Sequence, residues 1–196
     1  MKKRMVGSWQ IDNLSMPLQF FLFAEAYLDS AERLCRILKR STRKLSYQRG
    51  VVVLFLTFHA VELFLKATIL QRSPKEKLHH NIERLERRYR ILYPEKQFQL
   101  NVPFKTEFLG FRPDEIAEKR LILPQYQLNR YPCDKKGKDW RGIFAFEPAA
   151  FLPVIEQLQR DFRQLQSSIF EANHGLQRHA VGSRCSLGVS AMKDHI

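Results

Sequence analysis

The chain has 196 residues and a mass of 23.2 kDa, which is enough for one domain or one domain with extensions. Hydrophobic residues make up 44% of it, so the chain can bury a core, and disorder throughout is excluded. Lysine and arginine number 33 against 20 acidic residues, and the resulting charge of +13 favours polyanionic partners such as nucleic acid.

The cysteines and the start of the chain favour a reducing, cytoplasmic setting. Cys35, Cys133 and Cys185 lie far apart, unlike the cysteines of a disulfide framework or a zinc knuckle. The basic first residues are followed by polar positions such as Asp12 and not by an apolar segment of the secretory type. The sequence therefore predicts a cytoplasmic protein.

Proline and glycine divide the chain into a regular first half, a broken middle and a second regular segment. There is no proline between Leu18 and Ser73, whereas seven of the nine prolines lie from Pro94 to Pro153. This distribution predicts an N-terminal extension over 1–14, a helical domain over 15–170 with an irregular insertion at 97–143, and a mobile tail over 171–196.

The first predicted helix begins after Ser15, a favourable N-cap, and tolerates Pro17 in its first turn. Mixed charges on its polar side favour packing on a core over a position at a membrane surface, which is the alternative interpretation. Its apolar residues recur at intervals of three and four, as on one face of a helix: Phe20, Ala24, Tyr27, Leu28, Ala31, Leu34, Cys35 and Leu38.

The second predicted helix, Val51–Leu70, follows Gly50 and is the most apolar stretch of the chain. It is long enough to span a bilayer, but a central Glu62 and Lys66 would cost several kcal/mol there. We therefore predict the central helix of a soluble bundle, in contact with both the first and the last long helices. No membrane association is expected.

Two further helices are predicted after the break at Ser73-Pro74. The third helix starts near Asn81, which is suited to N-capping, and ends before Pro94. The last long helix has a 4-3-4-3-4 spacing that is typical of a packing face, formed by Phe151, Ile155, Leu158, Phe162, Leu165 and Ile169.

A stripe of polar residues lies on the apolar second helix. His59, Glu62 and Lys66 fall on one side of it, and Glu62 and Lys66 have the favourable i,i+4 orientation. A buried carboxylate and ammonium need each other or another polar partner. The stripe is therefore either a structural ion pair or a polar pocket in which these three side chains meet a ligand.

The order of several short patterns resembles the HEPN superfamily. The second helix contains A-x-E-L-x-L-K-A, the third starts with H-N-I-x-x-L, and Arg130-Tyr131-Pro132 precede the closing helix. The resemblance covers residues 18–168 and implies an all-α up-and-down bundle, usually dimeric, that is associated with RNA or nucleotides. Members include endoribonuclease toxins and defence components as well as non-catalytic partners of nucleotidyltransferases. The implied partners are therefore RNA or a nucleotide, a second copy of the chain, and a nucleotidyltransferase or antitoxin.

Catalytic members of this superfamily pair an arginine and a histidine separated by four to six residues across the dimer. Arg72 and His79 have this spacing. Histidine can move the proton of the 2′-hydroxyl and arginine can stabilise charge on phosphate, without a metal ion. The pair departs from the family because it lies in the turn after the second helix. A metal-independent endoribonuclease and a member without catalysis both stay open.

Basic residues concentrate in two places. The run 36–49 contains no acidic residue, and a second cluster adjoins Tyr131 and Trp140. Basic patches attract phosphates and aromatic rings stack on unpaired bases, although a solvated surface is the alternative interpretation. The candidate nucleic-acid-binding residues are Arg36, Lys39, Arg40, Arg43, Lys44, Arg49, Lys135, Lys136, Lys138 and Arg141.

Other chemical motifs do not occur in the sequence. It contains no phosphate-binding glycine loop, no H-E-x-x-H pattern, no paired cysteines and no nucleophile elbow, so no metal or cofactor is expected. Three functions stay open: an RNA- or nucleotide-binding protein, an active endoribonuclease, and a non-catalytic protein-interaction module.

Overall fold

The computed structural model of the chain describes residues 6–102 and 146–171. Over these ranges the chain forms no β-strand and four α-helices, α1 (Met16–Arg40), α2 (Tyr47–Arg72), α3 (Ile82–Leu92) and α4 (Pro148–Gln166). Short 3₁₀ turns occupy Ser8–Gln10, Thr42–Lys44 and Lys96–Phe98, and a π-helical turn, Ser167–Glu171, continues α4. The prediction of an all-α helical bundle is confirmed.

Helix α1 starts where the sequence predicts. Ser15 is its N-cap in extended conformation and Pro17 lies in its first turn. Phe20, Tyr27 and Leu34 are partly buried at the edge of the core. The fully buried face keeps the spacing of three and four and consists of Phe21, Ala24, Leu28, Ala31, Cys35 and Leu38.

Helix α2 starts earlier than the sequence predicts. The predicted start after Gly50 is wrong, because the helix already begins at Tyr47 and Gly50 lies inside it. A Cβ atom added to Gly50 would lie 2.6 Å from a ring carbon of Phe146. The glycine therefore lets the Phe146 side chain approach the α2 backbone closely, and it does not break the helix.

Helix α2 is the centre of the bundle. It packs along α1 and also contacts α3 and α4, which confirms its predicted contacts with the first and last long helices. The Phe64 ring stacks on Phe162 of α4 with 4.0 Å between centroids and meets Phe21 of α1 edge-on. These three rings join α1, α2 and α4 in one core.

By length and composition α2 is also the one helix of the described ranges that could cross a membrane. In the folded chain, 67% of its most apolar window is buried against the rest of the protein. The core helix of a soluble protein passes the same test of length and hydropathy, so the test alone does not distinguish the two.

Two tyrosine hydroxyls fix the end of α3, one to the segment that follows it and one to α2. Asn81 caps α3 by accepting a hydrogen bond from the Arg84 N–H at 3.0 Å, as expected, and α3 ends at Leu92, before Pro94. The Tyr89 hydroxyl donates to the Phe98 carbonyl and the Tyr93 hydroxyl donates to the Thr68 carbonyl, at 2.6 and 2.9 Å.

The first residues of the predicted insertion belong to the core. Phe98, Leu100 and Val102 are all buried. The rest of the insertion predicted at 97–143 lies outside the described residues, and so does the predicted tail at 171–196, apart from the backbone of Glu171. In α4 the predicted packing face is confirmed, because Ile155, Leu158 and the later members of the 4-3-4-3-4 series are buried.

Candidate functional site

A charged cluster lies inside the bundle, in the second half of α2. The Glu62 side chain is 1% exposed, and its Oε1 accepts a hydrogen bond from Lys66 Nζ at 2.6 Å. The same oxygen lies 2.9 Å from His80 Nδ1. Glu62, Lys66 and His80 are called the Glu62 cluster below. The predicted pairing of Glu62 with Lys66 is confirmed.

His59 lies on the edge of this cluster. Its Nδ1 is 3.9 Å from Glu62 Oε2, which is beyond hydrogen-bond distance. The ring stacks on Phe55 and meets Tyr27 of α1 edge-on, with centroids 5.7 and 4.6 Å apart. The helix thus places all three predicted residues, His59, Glu62 and Lys66, on one side, while His59 packs mainly among aromatic rings. That they bind a ligand stays a prediction.

His80 is the member of the cluster that sequence reasoning misses. It is 18 residues from Glu62 in the chain, and only the return of the α2–α3 connection along α2 brings the two together. Its side chain is 65% exposed, so the cluster reaches solvent through this ring. The polar stripe on α2 signals that a polar partner is needed, but local spacing does not indicate which residue supplies it.

The energetics of the Glu62 cluster favour a structural role. Moving a carboxylate and an ammonium out of water costs several kcal/mol per ion, and close pairing mainly offsets that cost. His80 gives Glu62 Oε1 a second partner and so ties the α2–α3 connection to α2. The geometry of the Glu62 cluster can therefore hold the α2–α3 connection against α2.

Arg72 and His79, the candidate catalytic pair, have separate partners. The Arg72 guanidinium donates to the Leu92 carbonyl at the end of α3 and lies 4.3 Å from the Tyr93 ring centroid. His79 Nδ1 accepts a hydrogen bond from the Asn81 N–H at 3.3 Å. Within the described part of one chain, no hydrogen bond joins the two side chains. Their pairing across a dimer stays a prediction.

The surroundings of His79 disfavour its charged form. Burial, together with the nearby Arg84, Lys66 and His80 side chains, lowers the pKa of His79 below its usual value, against the opposing effect of Glu62. The hydrogen bond from Asn81 N–H also requires an unprotonated Nδ1. Both effects favour the neutral form of His79.

The basic run between α1 and α2 forms an exposed surface. Arg36 is engaged elsewhere, because it pairs with Glu32 and, at 2.6 Å, with Glu156 of α4. Arg49 folds back to donate to the Lys44 carbonyl at 2.8 Å. The exposed cations of this run are called the basic connection below and are Lys39, Arg40, Arg43, Lys44 and Arg49.

No acidic side chain offsets the charge of the basic connection where it meets α2. The first turn of α2 contains no acidic residue, and its N-cap, Ser46, makes no side-chain hydrogen bond to it. The partial positive charge of a helix N-terminus therefore adds to the field of the side chains. Among the residues that the structure describes, none of the five cations forms a salt bridge.

The remaining candidates give no site in the described ranges. Lys135, Lys136, Lys138 and Arg141 lie outside the described residues. Burial raises the pKa of the Cys35 thiol to about 11, so the thiol stays protonated and unreactive at neutral pH. Residues 6–102 and 146–171 contain no group of three or more His, Cys, Asp or Glu placed to hold a metal ion.

The described part of the chain is an all-α bundle that contains the buried Glu62 cluster and carries the exposed basic connection on its surface. Comparison of the chain with protein-family models, with curated proteins and with solved structures gives no match. The functional argument therefore rests on the residues themselves.

Proposed function

We propose that this chain is a HEPN-like helical protein that binds RNA through its basic connection and does not cleave it. One observation carries the proposal: Lys39, Arg40, Arg43, Lys44 and Arg49 are all exposed in a stretch that contains no acidic residue. The sequence resemblance and the all-α fold support the choice of RNA over other polyanions.

The position of the basic connection suits a phosphate backbone. The cations lie exposed on the short link between two long helices and on the helix turns that adjoin it, so a nucleic acid strand can approach without displacing core side chains. Contacts of lysine and arginine with phosphates release condensed counterions, and this makes the affinity strongly dependent on salt. The overall charge of +13 adds long-range attraction for any polyanion.

Cleavage is not part of the proposal because the candidate catalytic arginine has structural partners. Arg72 holds the end of α3 through the Leu92 carbonyl and lies over the Tyr93 ring. An arginine that stabilises a transition state must instead face the phosphate of the substrate. Incubation of labelled RNA with the protein in EDTA tests this part, and we expect no cleavage. Cleavage that Arg72→Ala abolishes would restore the endoribonuclease interpretation.

The binding proposal is tested by a triple variant, Arg40→Gln, Arg43→Gln and Lys44→Gln, in a gel-shift or anisotropy titration with RNA. Its folding should change little, since substitutions at exposed positions shift stability by about 0.5 kcal/mol or less each. The logarithm of the binding constant falls linearly with the logarithm of the salt concentration, and each phosphate contact on a single strand contributes about 0.7 to the steepness of that line. For the triple variant we therefore expect the steepness to decrease by up to about 2.

A matched control removes the same charge elsewhere. Three exposed cations lie outside the basic connection: Lys75, Lys77 and Arg87. Their replacement by glutamine should preserve most of the affinity for RNA and most of its salt dependence. Equal losses of RNA affinity in both triple variants would indicate that binding depends on net charge and not on the basic connection. Absence of any RNA affinity of the wild type at low salt would refute the proposal and favour the protein-interaction module.

A further inference from the structure

Helix α1 has two apolar stripes side by side. The first is its fully buried face, which packs against α2 and α4. The second stripe is shifted by one residue towards the N-terminus, which rotates it by about 100° around the helix axis. We call it the outer seam, and it has a 4-3-4-3-4-3 spacing that consists of Met16, Phe20, Phe23, Tyr27, Ser30, Leu34 and Ile37.

The outer seam is accessible at several positions along its length. Met16, Phe23 and Ile37 are 62%, 51% and 46% exposed, and the apolar residues between them are only partly buried at the edge of the core. A single exposed apolar side chain is common on protein surfaces and indicates little. An apolar repeat of 3.5 residues, in contrast, is the pattern by which one helix packs along another. The buried face accounts for the packing of α1 in the bundle, so the outer seam is suited to a further helix.

The outer seam adjoins an apolar part of α2. The Tyr27 ring meets the His59 ring of α2 edge-on, with centroids 4.6 Å apart. Val52 precedes His59 by seven residues, which places it on the same side of α2, and it is 45% exposed. A helix that packs along the outer seam can therefore also contact α2, as an amphipathic helix does in an apolar groove.

The flanks of the outer seam define the charge of its partner. On one side the flanking residues, Ala24, Ala31 and Leu38, are buried in the core. On the other side the charged flanking residues are Arg33 and Arg40, which are exposed and form no salt bridge with any residue that the structure describes. Charges at flanking positions form pairs between helices and so decide which helix is accepted.

A second copy of α1 does not supply the opposite charge. Its outer seam has the same flanking residues, Gln19, Ala26, Arg33 and Arg40, and none of them is acidic. A helix with Asp or Glu beside its apolar stripe supplies a partner for both arginines. The overall charge of +13 also attracts such a helix from a distance.

We propose that the outer seam of α1 is the docking site for an amphipathic helix of another protein, with acidic residues beside its apolar stripe. From Met16 to Ile37 the seam is about 32 Å long at 1.5 Å per residue, so a helix of about three heptads covers it. Phe23 and Ile37 contact the apolar stripe of this helix, and Arg33 pairs with its acidic flank. Docking there is independent of RNA binding, since these three residues lie outside the basic connection.

Two labelled synthetic peptides of about three heptads provide the probes. Both have leucine at the stripe positions, and the flanking positions are glutamate in one peptide and lysine in the other. Fluorescence anisotropy measures their affinity for the wild type, with the peptides dilute enough to stay monomeric and at moderate salt, where long-range attraction is screened. We expect the glutamate peptide to bind and the lysine peptide to bind at least about fivefold more weakly.

Two pairs of variants separate the apolar and the charged contributions. Phe23→Gln combined with Ile37→Gln should weaken binding of the glutamate peptide at least about fivefold, whereas Ile91→Gln, at an exposed apolar residue of α3, should not. Arg33→Glu should weaken binding of the glutamate peptide by roughly two- to fivefold and strengthen binding of the lysine peptide. Arg87→Glu is its control, because Arg87 is exposed on α3 and, like Arg33, follows an acidic residue by four positions.

All these substitutions are at exposed positions, and circular dichroism checks that each variant keeps its helices. No binding of the glutamate peptide, or binding that the double variant retains in full, would overturn the docking site. So would equal losses in Arg33→Glu and Arg87→Glu, since they would reflect net charge alone. Sedimentation of the wild type gives the remaining outcome: a dimer that the double variant converts to a monomer would assign the outer seam to a second copy of the chain.

Discussion

At the scale of single residues, the central question is why an otherwise apolar helix carries Glu62 and Lys66. The two side chains lie almost completely inside the protein and are bonded to each other at 2.6 Å. Similar buried pairs can often be replaced by apolar residues of the same size at little cost, whereas removal of one partner leaves an uncompensated charge. Each of the two buried charges is therefore stabilised mainly by the other.

This dependence gives a testable prediction for stability. Glu62→Met and Lys66→Met are each expected to lower the free energy of unfolding by about 3–5 kcal/mol, because each leaves a buried charge without its partner. The double variant should lose less than the sum of the two, since no unpaired charge remains. Urea unfolding of the four proteins provides the measurement.

His80 supplies the control for this cycle. It bonds to Glu62 but is largely exposed, so His80→Gln should cost far less than Glu62→Met. Strictly additive losses of Glu62→Met and Lys66→Met would mean that the two charges are stabilised by other groups. In that case the pairing between Lys66 Nζ and Glu62 Oε1 would not explain why two charges lie inside the apolar surroundings of α2.

A second residue-scale prediction concerns the pH dependence of stability. The pKa of His79 is lowered in the folded chain, chiefly by burial and then by Arg84. The unfolded chain therefore binds more protons at this site below the usual histidine pKa, and the stability that neutral His79 contributes is lost as pH falls below about 6.5. His79→Asn should show a smaller loss of unfolding free energy between pH 7 and pH 5 than wild type does.

The choice of asparagine keeps the local backbone geometry. Its side-chain oxygen can accept the hydrogen bond from the N–H two residues later, as His79 Nδ1 does from Asn81. Urea titrations of both proteins at several pH values give the comparison, in which all other titrating groups are shared. Parallel stability curves over this range would show that folding does not lower the pKa of His79.

At the scale of elements, periodicity was a reliable guide wherever a helix has one apolar face. The first and last long helices show their buried faces directly in sequence intervals of three and four, and Asn81 marks the start of α3. The sequence places the start of α2 too late, because Gly50 and the polar residues before it are typical of a break between helices. The close approach of Phe146, from a distant part of the chain, is what places a glycine there.

The same distinction explains which parts of the sites were predictable. Glu62 and Lys66 are neighbours on one helix, so their pairing follows from local spacing. His80 approaches Glu62 only because the α2–α3 connection returns along α2. Arg36 likewise forms an ion pair with Glu156 only because α4 packs beside α1. Contacts between distant segments have no signature in local periodicity.

At the scale of the whole molecule, the arrangement of helices decides what α2 can do. The helix is apolar on nearly every side, and α1, α3 and α4 together cover most of it. The same sequence in lipid would place Glu62 and Lys66 near the middle of a span, where charged side chains are costly. In the bundle these two charges meet each other and His80.

This packing leads to the last prediction, which concerns the partition of the folded chain between water and detergent. Extracted without detergent and then subjected to phase separation with a mild non-ionic detergent, the wild type is expected to stay in the aqueous phase, because two thirds of the most apolar window of α2 is buried against its neighbours. A Leu28→Lys variant is the control. Leu28 is 1% exposed on the core face of α1, so a charge there should displace α1 and expose α2, moving the protein to the detergent phase or the pellet. Wild type in the detergent phase, or a wild type that only detergent extracts from cells, would instead assign α2 to a membrane.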